Sequence, residues 1–195
     1  NQYKATALLA PAKSDGGGLS GALGKMGGLA SLAGISLGGG KSGDAQIALE
    51  IMKSWSYIEG FIAENNIAVE LYAGEGWNKD SNTLKINDDV YDVKENQWLV
   101  EGVIGAAPSS WALFKKFEEK LIVEADKRTG LVSVSIEYYS PQIAKQWMDL
   151  YVESINRFMQ QRQVNKVTRN IAYLQEQIGK TSIAEMQEVF YSIIE

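Results

Sequence analysis

From Leu131 to Tyr139 apolar and polar residues alternate, as Leu131-Val-Ser-Val-Ser-Ile-Glu-Tyr-Tyr139. At Ser140-Pro141 the spacing changes to three and four, through Ile143, Trp147, Tyr151, Ile155 and Phe158. The first period predicts a strand and the second a helix. Ser140 suits the cap, because its hydroxyl accepts from a first-turn N–H, and Pro141 suits the first helical position, where its missing N–H has no partner to lose. From Pro141 to Ile178 no Gly and no further Pro interrupts the pattern. This predicts a helix of about 57 Å at 1.5 Å per residue, longer than a small domain covers, so that part of it protrudes and needs a partner.

Earlier in the chain the pattern is more broken. Tyr3-Lys-Ala-Thr-Ala-Leu-Leu-Ala10 predicts an opening strand ended by Pro11. A Gly-rich segment, residues 15–43, follows, with Leu19, Leu23, Met26 and Ala30 at the spacing of a short, weak helix. Two helices are expected over Asp44–Ser54 and Ser56–Asn65, the second opened by a capping box, Ser56-Tyr-Ile-Glu59. Ala68–Tyr72 either extends that helix or pairs as a strand. Glu75–Gln97 predicts a long polar loop anchored by Trp77 and Trp98. Pro108-Ser109-Ser110 opens a helix to about Lys120, and Leu121–Asp126 with Leu131–Tyr139 makes a hairpin, Gly130 supplying the positive φ. The expected fold is α+β: a small mixed sheet covered by helices, with a very long protruding α-helix. Its expected organisation is a base over residues 1–140 and a helical arm over residues 141–195.

Beyond Phe158 the helical pattern turns polar at Gln160-Gln-Arg-Gln163, then resumes as Val164, Val167, Ile171, Leu174 and Ile178. Spacings of three and four make a narrow seam, the kind that pairs with another helix rather than with a broad core. Arg162, Lys166 and Arg169, with Arg157 nearby, are read as a basic stripe beside that seam. Arg157, Arg162, Lys166, Val167, Arg169, Ile171 and Leu174 are therefore the candidate oligomer-interface or polymer-facing residues, set against a solvated face with local ion pairs. After Gly179–Ser182 the pattern returns at Ile183, Met186, Phe190 and Ile193, which suggests that the helix continues with a bend.

Composition removes chemistry. The 195 residues contain no Cys and no His, so disulfides, thiolate zinc sites and His-dependent triads all lack their parts. A net charge of -5 argues against a nucleic-acid partner. No segment suits a membrane span; Met26–Gly40 is too short and broken by glycines. The chain opens in mid-strand and stops inside a helical pattern, as expected of a piece of a longer protein. Gly16-Gly-Gly18-Leu-Ser-Gly21 imitates a dinucleotide motif, but Pro11-Ala-Lys-Ser-Asp15 stands where strand should turn tightly into helix. Gly40-Lys41-Ser42 ends like a P-loop whose first Gly would fall at Ile35. Asp88-Asp89 and Glu118-Glu119 are adjacent acids of the solvated kind, although a glycosidase also uses two carboxylates. Trp77, Trp98 and Trp111 either anchor loops and core or stack on sugars. No constellation of catalytic, cofactor-binding or metal-ligating residues emerges, and the chain reads as a non-enzyme without cofactor.

Taken in order, Tyr3–Pro11, the Gly/Leu-rich Gly27-Gly-Leu-Ala-Ser-Leu-Ala-Gly34, Trp77-Asn beside Asn82-Thr-Leu-Lys-Ile86, Thr129–Glu137, Ser140-Pro-Gln-Ile-Ala-Lys-Gln-Trp147 and Tyr173–Ile178 resemble the Wzz chain-length determinants, or polysaccharide co-polymerases. The resemblance spans essentially the whole chain. It implies a periplasmic domain held to the bacterial inner membrane by two flanking helices outside this sequence, assembled as a homo-oligomeric ring. The implied role is non-catalytic: setting the length of lipopolysaccharide O-antigen, or a related surface polysaccharide, with a Wzy-type polymerase and its lipid-linked polymer. A periplasmic coiled-coil adaptor of an export machine is the alternative, although the paired half-motifs expected of one are not found. A sugar-acting enzyme is a third reading, with no constellation behind it.

Overall fold

The computed structural model describes residues 2–10, 41–99, 105–126, 128–180 and 191. In chain order they form β1 (Tyr3–Leu9), α1 (Lys41–Lys53), α2 (Trp55–Asn65), α3 (Ala68–Ala73), β2 (Gly74–Asn78), β3 (Thr83–Ile86), β4 (Tyr91–Asp92), β5 (Gln97–Trp98), α4 (Ser110–Glu118), β6 (Leu121–Ala125), β7 (Val132–Tyr138) and α5 (Pro141–Lys180). The class is α+β. The chain divides into two compact units, Asn1–Pro11 with Lys41–Ile155, and Ala12–Gly40 with Asn156–Glu195. The short helix expected in the Gly-rich segment and the pattern from Ile183 to Phe190 lie outside the described residues.

The first unit is built on β7, whose alternation aims Val132, Val134, Ile136 and Tyr138 to one side, all of them buried. β7 is the middle strand of three, in the order β1-β7-β6. Its register pairs Tyr3 with Tyr138 and Leu9 with Val132 on one edge, and Leu121 with Ile136 on the other. All these pairings are antiparallel, so the sheet is not mixed as expected: β7 folds back on β6 through a tight turn, and β1 runs in the same direction as β6, so both flanking strands oppose the middle one. Gly130 makes that turn with φ +73°, a value a side chain resists. Asp126 supports it by accepting from the N–H groups of Arg128 and Thr129 at 2.8 and 3.3 Å.

Three short-range expectations change. Ser54, rather than Ser56, caps α2: its backbone is extended and its Oγ accepts from the Tyr57 N–H at 3.4 Å, while Ser56 already sits inside the first turn. Ala68–Tyr72 neither extends α2 nor pairs as a strand. Asn66 takes φ +53°, and the Ile67 N–H bonds back to Ile62 O at 3.3 Å, which closes α2 before α3 begins. Glu75–Gln97 is not one loop but two hairpins. β2 and β3 pair across a turn in which Asn78 Oδ1 accepts from the N–H groups of Asp80 and Ser81, and Asn82 carries φ +55°. β4 and β5 pair across a turn built the same way by Asp92, with Asn96 at φ +53°.

The aromatic core lies between the helices and the buried face of β7. Phe61 of α2, Phe117 of α4 and Tyr151 of α5 meet with ring centroids 4.9 to 5.6 Å apart. Trp147 joins them to the sheet, 6.2 Å from Phe117 and 4.4 Å from Tyr138. The Tyr138 hydroxyl donates to Glu70 O, a carbonyl in the last turn of α3 that also accepts from the Gly74 N–H. Burial pushes the Tyr138 phenol well above its ordinary pKa, and the nearby Glu70 carboxylate adds to this.

Candidate functional site

The start of α5 follows the sequence closely. Ser140 is fully buried and its Oγ accepts from the Ile143 N–H at 3.3 Å. Pro141 opens the helix, and Ala144, Trp147, Met148, Tyr151 and Ile155 are buried at helical spacing. Two hydrogen bonds tie this stretch to its neighbours: the Tyr151 hydroxyl donates to Met52 O at 2.5 Å, and the Tyr57 hydroxyl donates to Tyr151 O at 3.4 Å. Burial raises the Tyr151 phenol well above its usual pKa, and Tyr57 raises it further. The phenol therefore remains a neutral donor, held for structure.

From Asn156 onward the same helix runs through different surroundings. Every residue from Gln160 to Arg169 is exposed. Val164 and Val167 are 57% and 46% exposed, Ile171 is half-buried, and Leu174 is 4% exposed. The seam is thus covered near Leu174 and open one to three turns before it. Arg157, Arg162, Lys166 and Arg169 are exposed as well. Among the described residues, no carboxylate pairs with Arg162, Lys166 or Arg169; Arg169 Nε donates instead to the backbone oxygen of Asn165 at 3.2 Å.

Helical geometry corrects one feature of this constellation. At about 100° per residue, Arg162, Lys166 and Arg169 cluster roughly 150° away from the mean direction of Val164, Val167, Ile171 and Leu174. The basic stripe does not flank the seam; it occupies the other side of the helix. Arg157, seven residues before Val164, lies on the seam side instead. A helix that buries the seam against a partner therefore leaves Arg162, Lys166 and Arg169 turned to solvent, free to meet an anionic group or a further neighbour.

The other sequence candidates separate cleanly. Asp88 and Asp89 are exposed in a turn, and Glu118 and Glu119 are exposed and face Lys115 and Lys116 at 2.7 and 4.0 Å. The residues of the first Gly motif lie outside the described set, and Lys41 begins α1. Among the described residues no group of acids is placed to hold a metal, and no helix is long and apolar enough to cross a membrane. Trp77 sits half-buried on β2. Trp98 is held edge-on by Tyr91 at 4.9 Å and by Tyr72 at 6.2 Å.

One aromatic pair joins Trp111, a candidate already in the sequence, to Trp55, which the sequence reading does not single out. Trp55, the first residue of α2, stands 5.2 Å from Trp111 on α4, their planes 73° apart. They are 45% and 49% exposed, high for residues of this size. The signal available in the sequence was Ser54: had its capping role been read, Trp55 would have fallen at the exposed start of a helix. Comparison with family models, with curated proteins and with solved structures finds no match to this chain.

Proposed function

We propose that this chain is the periplasmic part of a non-catalytic regulator of surface-polysaccharide length, O-antigen or a related polymer. In this reading it acts as an oligomeric scaffold beside a Wzy-type polymerase at the bacterial inner membrane. The observation that carries the reading is the long helix. Its first turns are locked into an α+β base by Trp147 and Tyr151, while its later turns present exposed Val164 and Val167 on one side and Arg162, Lys166 and Arg169 on the other. A helix so disposed gains from a neighbour on its apolar side and keeps a basic side for a second contact. The ordered sequence resemblance to the Wzz chain-length determinants supplies the polysaccharide as its subject.

The test is a break in the seam. Ile171→Pro removes a helix hydrogen bond and clashes with the preceding turn, at a cost of about 3 kcal/mol to the local helix. Expressed in the full-length protein, in cells lacking the native copy, it shifts or abolishes the preferred polymer length seen on a gel of the surface polysaccharide. A length distribution unchanged from wild type, at equal protein level, overturns the reading.

A further inference from the structure

Two features of the base are left unused by that proposal: the exposed Trp55–Trp111 pair, and an open groove of about 470 Å³ between α2, α3 and α4. They belong together. Glu59, Ile62 and Asn66 line the groove, and at about 100° per residue Glu59 and Ile62 share one face of α2 with Trp55. From α4 the groove is lined by Ser110 and Leu113, and Trp98 lines it as well. Trp55 carries that face of α2 past the groove and meets Trp111, which makes a strip in which the tryptophan pair adjoins a groove that Trp98 lines. Along α2 from Trp55 to Asn66 it measures about 16 Å.

We infer that this strip binds a short run of pyranose units, with Trp55, Trp111 and Trp98 stacking against the sugar rings and Glu59, Asn66 and Ser110 meeting hydroxyls. Sugar rings present an apolar C–H face and a hydroxyl rim, and the strip presents the complement: indole surface and aliphatic wall, with a carboxylate, an amide and a hydroxyl spaced between. Three observations narrow the occupant. Two half-exposed indoles offer on the order of 200 Å² of aromatic surface, whereas a stable protein partner needs about 800 Å² on each side. Lys115 lies over the Trp111 ring at 5.2 Å and is already paired with Glu118 at 2.7 Å. With Glu59 also at the rim, the strip has no basic excess to draw an anionic membrane surface or a phosphate. The aromatic positions are also fixed in advance. Ser54 and Ser109 cap the helices that carry Trp55 and Trp111, and Tyr91 and Tyr72 brace Trp98, so little freedom is lost on binding.

The inference deepens the polysaccharide reading by naming where the polymer touches the base, and the two fail separately because one is read from binding and the other from length distribution in cells. The experiment is a titration of the whole chain with maltotetraose, chitotetraose and mannotetraose, each to about 10 mM, following the indole N–H signals of its five tryptophans by NMR. At least one tetrasaccharide shifts the signals of Trp55, Trp98 and Trp111 and leaves those of Trp77 and buried Trp147 in place. Trp98→Ala and, separately, Trp55→Ala weaken that binding about tenfold or more, with the unmoved Trp147 signal reporting an intact core. The inference falls if no tetrasaccharide moves the three signals, or if all five move alike. It falls equally if the three signals respond to protein concentration and not to sugar, which would give the strip to a second copy of the chain. Ile171→Pro altering polymer length in cells while all three sugars fail to bind would remove this inference and keep the proposed function.

Discussion

Two stretches of one helix have the same backbone and opposite surroundings. From Pro141 to Ile155, α5 buries one or two residues in each turn, Ala144, Trp147, Met148, Tyr151, Ser154 and Ile155, and hydrogen bonds hold it at both Tyr151 groups. From Asn156 to Arg169 it buries no side chain, and Gln161 donates to Asn165 one turn on at 3.0 Å. Helical propensity alone makes a segment marginal in water, and most helical stability in proteins comes from packing an apolar face. The first stretch is therefore a part of the base. The second is a helix propagated from it, with a face still to be used.

The largest expected effect breaks the comparison at its root. Trp147 touches both Phe117 and Tyr138 and is almost completely buried. Trp147→Ala leaves a cavity where sheet and helices meet and destabilises the base by about 3–5 kcal/mol. Gln163→Ala, a little over four turns away and exposed, changes stability by less than about 0.5 kcal/mol. Urea unfolding of both variants checks the pair. Equal losses would mean that the later turns carry as much of the fold as the first.

Gly74→Ala comes next. A methyl group there would meet the Tyr138 hydroxyl and the backbone oxygen of Glu70, the two ends of the hydrogen bond that ties α3 to β7. The Glu70 contact is backbone, so moving the Tyr138 side chain alone does not relieve the clash and the end of α3 must shift as well. A loss of about 1–3 kcal/mol is expected, read as a lower urea midpoint with an unchanged slope. A variant as stable as wild type would show that the Tyr138–Glu70 contact is not close in solution.

How much of this was legible in sequence depends on where the information resides. The β6–β7 hairpin and the opening of α5 were readable because single residues dictate them: Gly130 for the turn, Ser140 and Pro141 for the helix. The hairpins of β2–β3 and β4–β5 were hidden because they contain few apolar alternations. What builds them is the ability of Asn78 and Asp92 to accept from backbone N–H groups two and three residues on, and of Asn82 and Asn96 to take positive φ. The seam was visible as a spacing. Its relation to the basic residues was not, because adjacency along the chain says little until the residues are set around a helix.

Tyr151→Phe sharpens the comparison by testing polar anchoring without changing volume. It leaves Met52 O, in the last turn of α1, without its phenol partner and is expected to destabilise the base by about 1–3 kcal/mol. The same residue gives the base an alkaline limit. Tyr151 and Tyr138 have folded-state pKa values raised by burial, so the folded protein retains protons that the unfolded chain loses near pH 10. Their contribution is fully present below that pH and declines as pH rises above it, by about 1.4 kcal/mol per pH unit for each phenol. Unfolding followed between pH 9 and 12 should steepen above 10, and Tyr151→Phe should remove one phenol's share of the slope. A stability flat through this range would show that both hydroxyls reach solvent.

The smallest effect on stability separates fold from use. Val164 and Val167 are about half exposed, so replacing both with Ser removes little buried surface and should change the unfolding free energy by less than about 0.5 kcal/mol. The pair nevertheless occupies the open part of the seam, the surface that a neighbouring helix would cover. Light scattering of wild type across a range of protein concentrations should therefore show association that the double variant loses, while the two proteins unfold at the same urea concentration. If the variant unfolds early, Val164 and Val167 already belong to a folded core and the division at Ile155 is energetically false. If stability and mass are both unchanged, the open seam is not where copies meet. The burden of association would then pass to the basic side, where Arg162→Glu and Lys166→Glu should change mass with a strong dependence on salt.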